Sequence, residues 1–93
     1  MEHEVECTIT GRVQLVMFRD FVYRKAQKLN ITGTVENIND GSVRVVAQGR
    51  KEKLLAFIEL LKDGPMLAKV LSVDLLWREP KEAFTEFKIV YWA

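Results

Sequence analysis

Two arginines bracket the one stretch of this chain whose composition could hold an anion. Gly11 to Arg19 reads Gly-Arg-Val-Gln-Leu-Val-Met-Phe-Arg, with Arg12 near its start and Arg19 at its end. A glycine-led loop feeding a helix N-terminus brings free backbone N–H groups together, and the helix dipole adds partial positive charge there. A guanidinium on either side supplies a full charge and a fork that matches phosphate or carboxylate. The chemistry on offer is therefore capture of a phosphate or a carboxylate. The same residues also make an ordinary basic strand-to-helix connection, and the loop alone does not separate the two readings.

Other chemistries have less to work with. With one His and one Cys in the chain, the nitrogen and sulfur ligands of a zinc or copper site are missing. Cys7 has no partner for an internal disulfide and falls on an apolar strand face, where it reads as a small buried hydrophobe. His3 lies too near the terminus to recruit as a base, and Asp20 suits the first turn of a helix better than acid catalysis. Fourteen basic residues against 13 acidic ones give a net charge of +1, which leaves no electrostatic footprint for nucleic acid. No apolar run reaches membrane-spanning length, and the acidic start at Glu2 and Glu4 lacks a hydrophobic signal region. The expectation is a cytoplasmic protein with a single domain over residues 1–93, partnering neither membrane nor nucleic acid.

The elements that would position the loop follow from periodicity. Val5, Cys7 and Ile9 alternate with Glu4, Glu6, Thr8 and Thr10, which predicts a half-buried strand. Phe18, Phe21, Val22, Ala26 and Leu29 make one helical stripe, closed by Asn30, a residue that tolerates the left-handed conformation. Thr32 to Ile38 reads as a second strand and Val43, Val45 and Ala47 as a third. The Asp40-Gly41 between them signals a hairpin. Leu54, Phe57, Ile58 and Leu61 give a second helix, stopped by Gly64 and Pro65, with Gly49 the only cap candidate. Leu71, Val73, Leu75 and Trp77 share one face of a fourth strand, and Phe87, Ile89 and Tyr91 alternate on a last one. The connection from Arg78 to Ala83 is the expected mobile loop.

That order, β-α-β-β-α-β-β, predicts an α+β, ferredoxin-like split βαβ fold with two helices on one face of a mixed, mainly antiparallel sheet. Right-handed crossovers make the first and second strands parallel with the third between them. Their C-terminal ends then lie at one sheet edge, roughly 10 Å apart. Arg19 and Asn37 can face one shared site there.

The Gly11–Arg19 loop resembles the acylphosphatase signature G-R-V-Q-G-V-x-F-R at every fixed position but one. Gly33-Thr34-Val35-Glu36-Asn37, followed by Asp40-Gly41-Ser42-Val43, resembles the family's G-W-V-x-N…D-G-x-V, with Thr34 at a usually aromatic position. Ala47-Gln48-Gly49 and Gly64-Pro65 extend the resemblance over nearly the whole chain. It implies the same ferredoxin-like fold and hydrolysis of acyl phosphates to a carboxylate and phosphate, with neither metal nor cofactor. By the same resemblance Arg19 would be catalytic, clamping the phosphoryl oxygens, and Asn37 would align the attacking water. Arg12, Val13, Gln14, Leu15, Val16, Met17 and Phe18 would form the phosphate-binding loop with Arg19, largely through backbone N–H groups. Such a site needs no strong base, because the leaving group is already a good one and phosphoryl transfer asks mainly for positioning and charge stabilisation.

The departure from the signature is Leu15, where the family has glycine. A required positive φ would cost leucine on the order of 1–2 kcal/mol, whereas a negative φ would let it point away from the site. The apolar run from Leu15 to Phe18 is expected to pack beneath the loop rather than line an acyl-group pocket, and Thr34 to alter packing near the site. An alternative is a non-catalytic anion-binding module impaired by Leu15. A ferredoxin-like RNA-binding module ranks far lower, because Ser42 to Gln48 has no aromatic for base stacking. The related domain of hydrogenase maturation factors raises carbamoyl phosphate as a further ligand, though a free-standing enzyme is the expectation. A monomer is expected, with an edge-paired dimer as the alternative.

Overall fold

The computed structural model describes residues 2–91. β1 (His3–Arg12) enters the core because its odd-numbered side chains, Val5, Cys7 and Ile9, face the helices and are fully buried. Burial pushes the Cys7 thiol up to about 12, with Glu6 adding to the effect, so it sits in the core as a neutral hydrophobe. β1 runs two residues further than its apolar alternation and ends at Arg12. α1 (Phe18–Lys28) buries Phe18, Val22 and Ala26 and is closed by Asn30 at φ 56°. β2 (Thr32–Asn37) and β3 (Val43–Gly49) form the expected hairpin. α2 (Lys51–Asp63) buries Leu54, Phe57, Ile58 and Leu61. Its N-cap is Arg50, not Gly49, and provides no side-chain cap, so packing rather than capping holds that end.

β4 (Lys69–Arg78) and β5 (Phe87–Val90) complete a five-stranded sheet in the order β4-β1-β3-β2-β5. β1 and β2 each pair antiparallel with β3, so they run the same way, and β5 adds parallel to β2 on its other side. This is the mixed, ferredoxin-like arrangement with one strand appended. Among the described residues no helix is long and apolar enough to cross a membrane.

One sequence expectation changes at a sheet edge. Leu71 does not share the inner face of β4. The β1–β4 register passes from Thr10↔Ser72 to Gly11↔Val70, which leaves Leu71 as a bulge, 71% exposed. Gly11 is required at that bulge: its φ is 121°, and a Cβ would lie 2.1 Å from the Lys69 carbonyl oxygen. The connection after β4 meets the sheet through Gln48. Its Nε2 donates to Glu4 Oε1 and to the Glu82 carbonyl, both at 2.7 Å, while its Oε1 accepts the Phe84 N–H at 2.9 Å. Arg78 also donates to Glu4 and, at 2.9 Å, to Glu6.

Candidate active site

β1 and β2 deliver their C-terminal ends to the same edge, and a pocket of about 310 Å³ opens there. Period-two alternation explains Asn37: it lies two residues beyond the buried Val35 and therefore on the helix side of the sheet. The loop after β1 contributes Val13, Leu15 and Met17, and the first turn of α1 contributes Phe18, Arg19 and Asp20. Arg19 and Asn37, distant in sequence, thus line one pocket.

β5 supplies the remaining wall. Its parallel register pairs Val35 with Ile89 and Glu36 with Val90, and continuing it brings Tyr91 alongside Asn37. The Arg19 guanidinium carbon lies over the Tyr91 ring, 4.8 Å from its centre, within cation–π range. Sequence reasoning placed Tyr91 on a terminal strand but not at the site. The alternation of Phe87, Ile89 and Tyr91 was the available signal, and what it lacked was the knowledge that β5 docks beside β2.

The loop alternates between packing and display. Phe18 is buried at the start of α1 and Val16 packs against the core, whereas Leu15 is 97% and Met17 71% exposed. The expectation that Leu15 and Met17 pack beneath the loop is therefore overturned. Both sit at positive φ, 60° and 61°, which turns their side chains outward while the backbone keeps the course a glycine would take. Leu15 thus combines the two outcomes weighed from sequence: positive φ and a side chain directed to solvent. Left-handed backbone is costly for leucine. Leu15→Gly should therefore raise stability by roughly 0.5–1 kcal/mol after the extra freedom of an unfolded glycine is subtracted. A shift of the thermal midpoint upward by several degrees checks this.

Met17 is the N-cap of α1 and supplies no side-chain cap, which leaves first-turn N–H groups for an anion or water. Asp20 also borders the pocket, where its charge opposes an anion, but it is paired to Arg24 at 2.9 Å on the next turn. Its place at the helix start matches the sequence reading. Arg12 is exposed and Gln14 and Val16 do not line the pocket. Thr34 lies on the helix-free face opposite Val46 and Lys88, away from it. His3 begins β1, at the strand end opposite the loop.

Gln14 does something the sequence did not disclose. Its Nε2 donates to the carbonyl oxygens of Ile38 and Ser42, each at 2.8 Å, stapling the loop to the β2–β3 turn directly after Asn37. Within that turn Asp40 Oδ1 accepts from the Ser42 hydroxyl and N–H. The Ser42 hydroxyl, then its N–H, hold the Asp40 carboxyl below its ordinary range. This stabilisation is present above the unfolded carboxyl's pKa and is lost as pH falls through the lower, folded value. Removing the Gln14 donor leaves the Ile38 carbonyl to the Gly41 N–H at 3.0 Å and the Ser42 carbonyl to the Ile38 N–H at 2.8 Å, so what is lost is the pair of bonds that staples the loop. Gln14→Ala should cost about 1–2 kcal/mol in a urea titration.

A family model for acylphosphatase matches residues 5–89. The chain belongs to the acylphosphatase family. An acylphosphatase from Salinibacter ruber is 44% identical over 88 residues, covering 95% of this chain and 93% of the relative. One from Caldanaerobacter subterraneus subsp. tengcongensis is 44% identical over 89 residues, covering 96% and 99%. The crystal structure of acylphosphatase from Bacillus subtilis superposes with a TM-score of 0.93 at 35% identity, covering 96% of this chain and 99% of that one. Acylphosphatases are hydrolases of acid anhydrides.

Proposed function

We propose that this chain hydrolyses acyl phosphates at the pocket between the β1–α1 loop and the end of β2. The observation that carries the reading is the convergence of Arg19 and Asn37 on one cavity from two separate stretches of chain. The phosphoryl group sits at the N-terminus of α1, its oxygens held by the Arg19 fork and by N–H groups of residues 13–18. The Asn37 side-chain amide orients a water in line with the bond to be broken. The water oxygen forms a bond to phosphorus as the bond from phosphorus to the acyl oxygen breaks. The electron pair leaves with the carboxylate, and a water proton passes to a phosphoryl oxygen. Arg19 and the N–H groups stabilise the charge that the phosphoryl oxygens carry through the transition state.

Arg12 serves at most to attract anions from the surface, and Leu15 supplies a backbone donor without a glycine. Hydrolysis of benzoyl phosphate, unchanged by EDTA, tests the proposal. A folded protein that leaves benzoyl phosphate intact overturns it and favours the anion-binding alternative.

A further inference from the structure

Leu15, Met17, Ile89 and Tyr91 border the pocket that holds Arg19 and Asn37. We propose that these four side chains bind the acyl group and select bulky, uncharged, apolar acyl phosphates over small or anionic ones. The inference rests on the catalytic reading above and concerns the half of the substrate that the reading leaves unassigned.

The pocket has room for more than phosphate. Its volume of about 310 Å³ lies at the lower end of the roughly 300–1,000 Å³ of small-ligand sites. A phosphoryl group fixed on Arg19 must send the rest of the substrate toward the rim. The rim is where Leu15 and Met17 stand, 97% and 71% exposed, beside Tyr91 at 69%. Single exposed apolar residues are ordinary, but several around one concave opening make a contact surface.

The backbone argues the same way. Leu15 and Met17 hold positive φ while Val16 and Phe18 between and after them turn inward. Strain of this kind gathers at ligand-contacting positions, and here it directs two large apolar side chains outward around the phosphate site. Leu15 takes the position that is glycine in the signature, so its side chain is a contact this chain adds to the loop.

The lining also says what is refused. Of the four, only Tyr91 carries a polar side-chain atom, a neutral phenol, and one face of its ring meets Arg19. None of the four carries a positive charge to offset a second carboxylate on the substrate, and Asp20 on the same wall would repel one. Benzoyl and medium-chain alkanoyl phosphates fit this surface; succinyl phosphate does not.

The test compares kcat/KM for benzoyl, hexanoyl, acetyl and succinyl phosphate in the wild type, Leu15→Asn and Leu15→Gly. Asparagine and glycine both accept left-handed backbone, so the loop's course is kept while the apolar contact goes. The benzoyl-to-acetyl ratio should fall about five- to tenfold in both variants, mainly through KM for benzoyl phosphate. Affinities for benzylphosphonate and methylphosphonate, measured by calorimetry, should show the same loss of ratio without any turnover. Ratios in both variants within twofold of the wild type, with hydrolysis intact, overturn the acyl site alone. A wild type that hydrolyses none of the four overturns the catalytic reading, and the phosphonate ratio then decides the apolar rim by itself.

Discussion

Arg19→Ala is expected to lower kcat/KM for benzoyl phosphate by about 10³- to 10⁴-fold, on the order of 4–5 kcal/mol of transition-state stabilisation. The size follows from the pocket's electrostatics. Arg19 is the one cation among the described residues that line it, and Asp20 is there with the opposite sign. Removing the guanidinium would leave backbone donors facing a phosphoryl group beside a carboxylate. The cation–π contact with Tyr91 at 4.8 Å restrains the arginine, so less ordering remains to be done when substrate arrives. Arg19→Lys keeps the charge but loses the fork, and should still cost about 10²-fold. Arg19 lies outside the buried core, so circular dichroism should report both variants folded. An Arg19→Ala enzyme within tenfold of the wild type would remove Arg19 from the mechanism.

The alternation of Val5, Cys7 and Ile9, the helical stripe from Phe18 and the Asp40-Gly41 turn declared the fold because each is a local pattern with one dominant burial solution. Parallel placement of β1 and β2 then brought Arg19 and Asn37 to one edge on topology alone. What stayed hidden was non-local or conformational. Tyr91 belongs to the site only because β5 docks beside β2, and nothing in Phe87 to Tyr91 states a neighbour. Gln14 reads as a loop polar residue until the carbonyls of Ile38 and Ser42 are seen at 2.8 Å. Leu15 and Met17 looked like core because they are apolar and adjoin Val16 and Phe18. Their direction is set by φ of 60° and 61°, which side-chain type does not encode. Leu71 was misplaced for a related reason: a one-residue bulge breaks the period of two.

Asn37→Ala should separate from Arg19→Ala in kind as well as size. If Asn37 aligns the water rather than the phosphate, its loss should lower kcat by about 10²- to 10³-fold while KM moves less than threefold. A phosphate ligand would instead show its loss in KM, as the clamp role of Arg19 predicts in part. Asn37→Asp sharpens the distinction. It keeps the shape and one oxygen but places a negative charge beside the phosphoryl group, so KM should rise together with the fall in kcat. The local framework favours a clean reading. Asn37 ends β2, and the turn after it is held by Gln14 on the Ile38 and Ser42 carbonyls and by Asp40 on Ser42. None of those bonds uses the Asn37 side chain, and circular dichroism checks that the variant is folded. An Asn37→Ala variant with wild-type kcat and raised KM would make Asn37 a substrate ligand. The attacking water would then need orientation from the loop's own N–H and C=O groups.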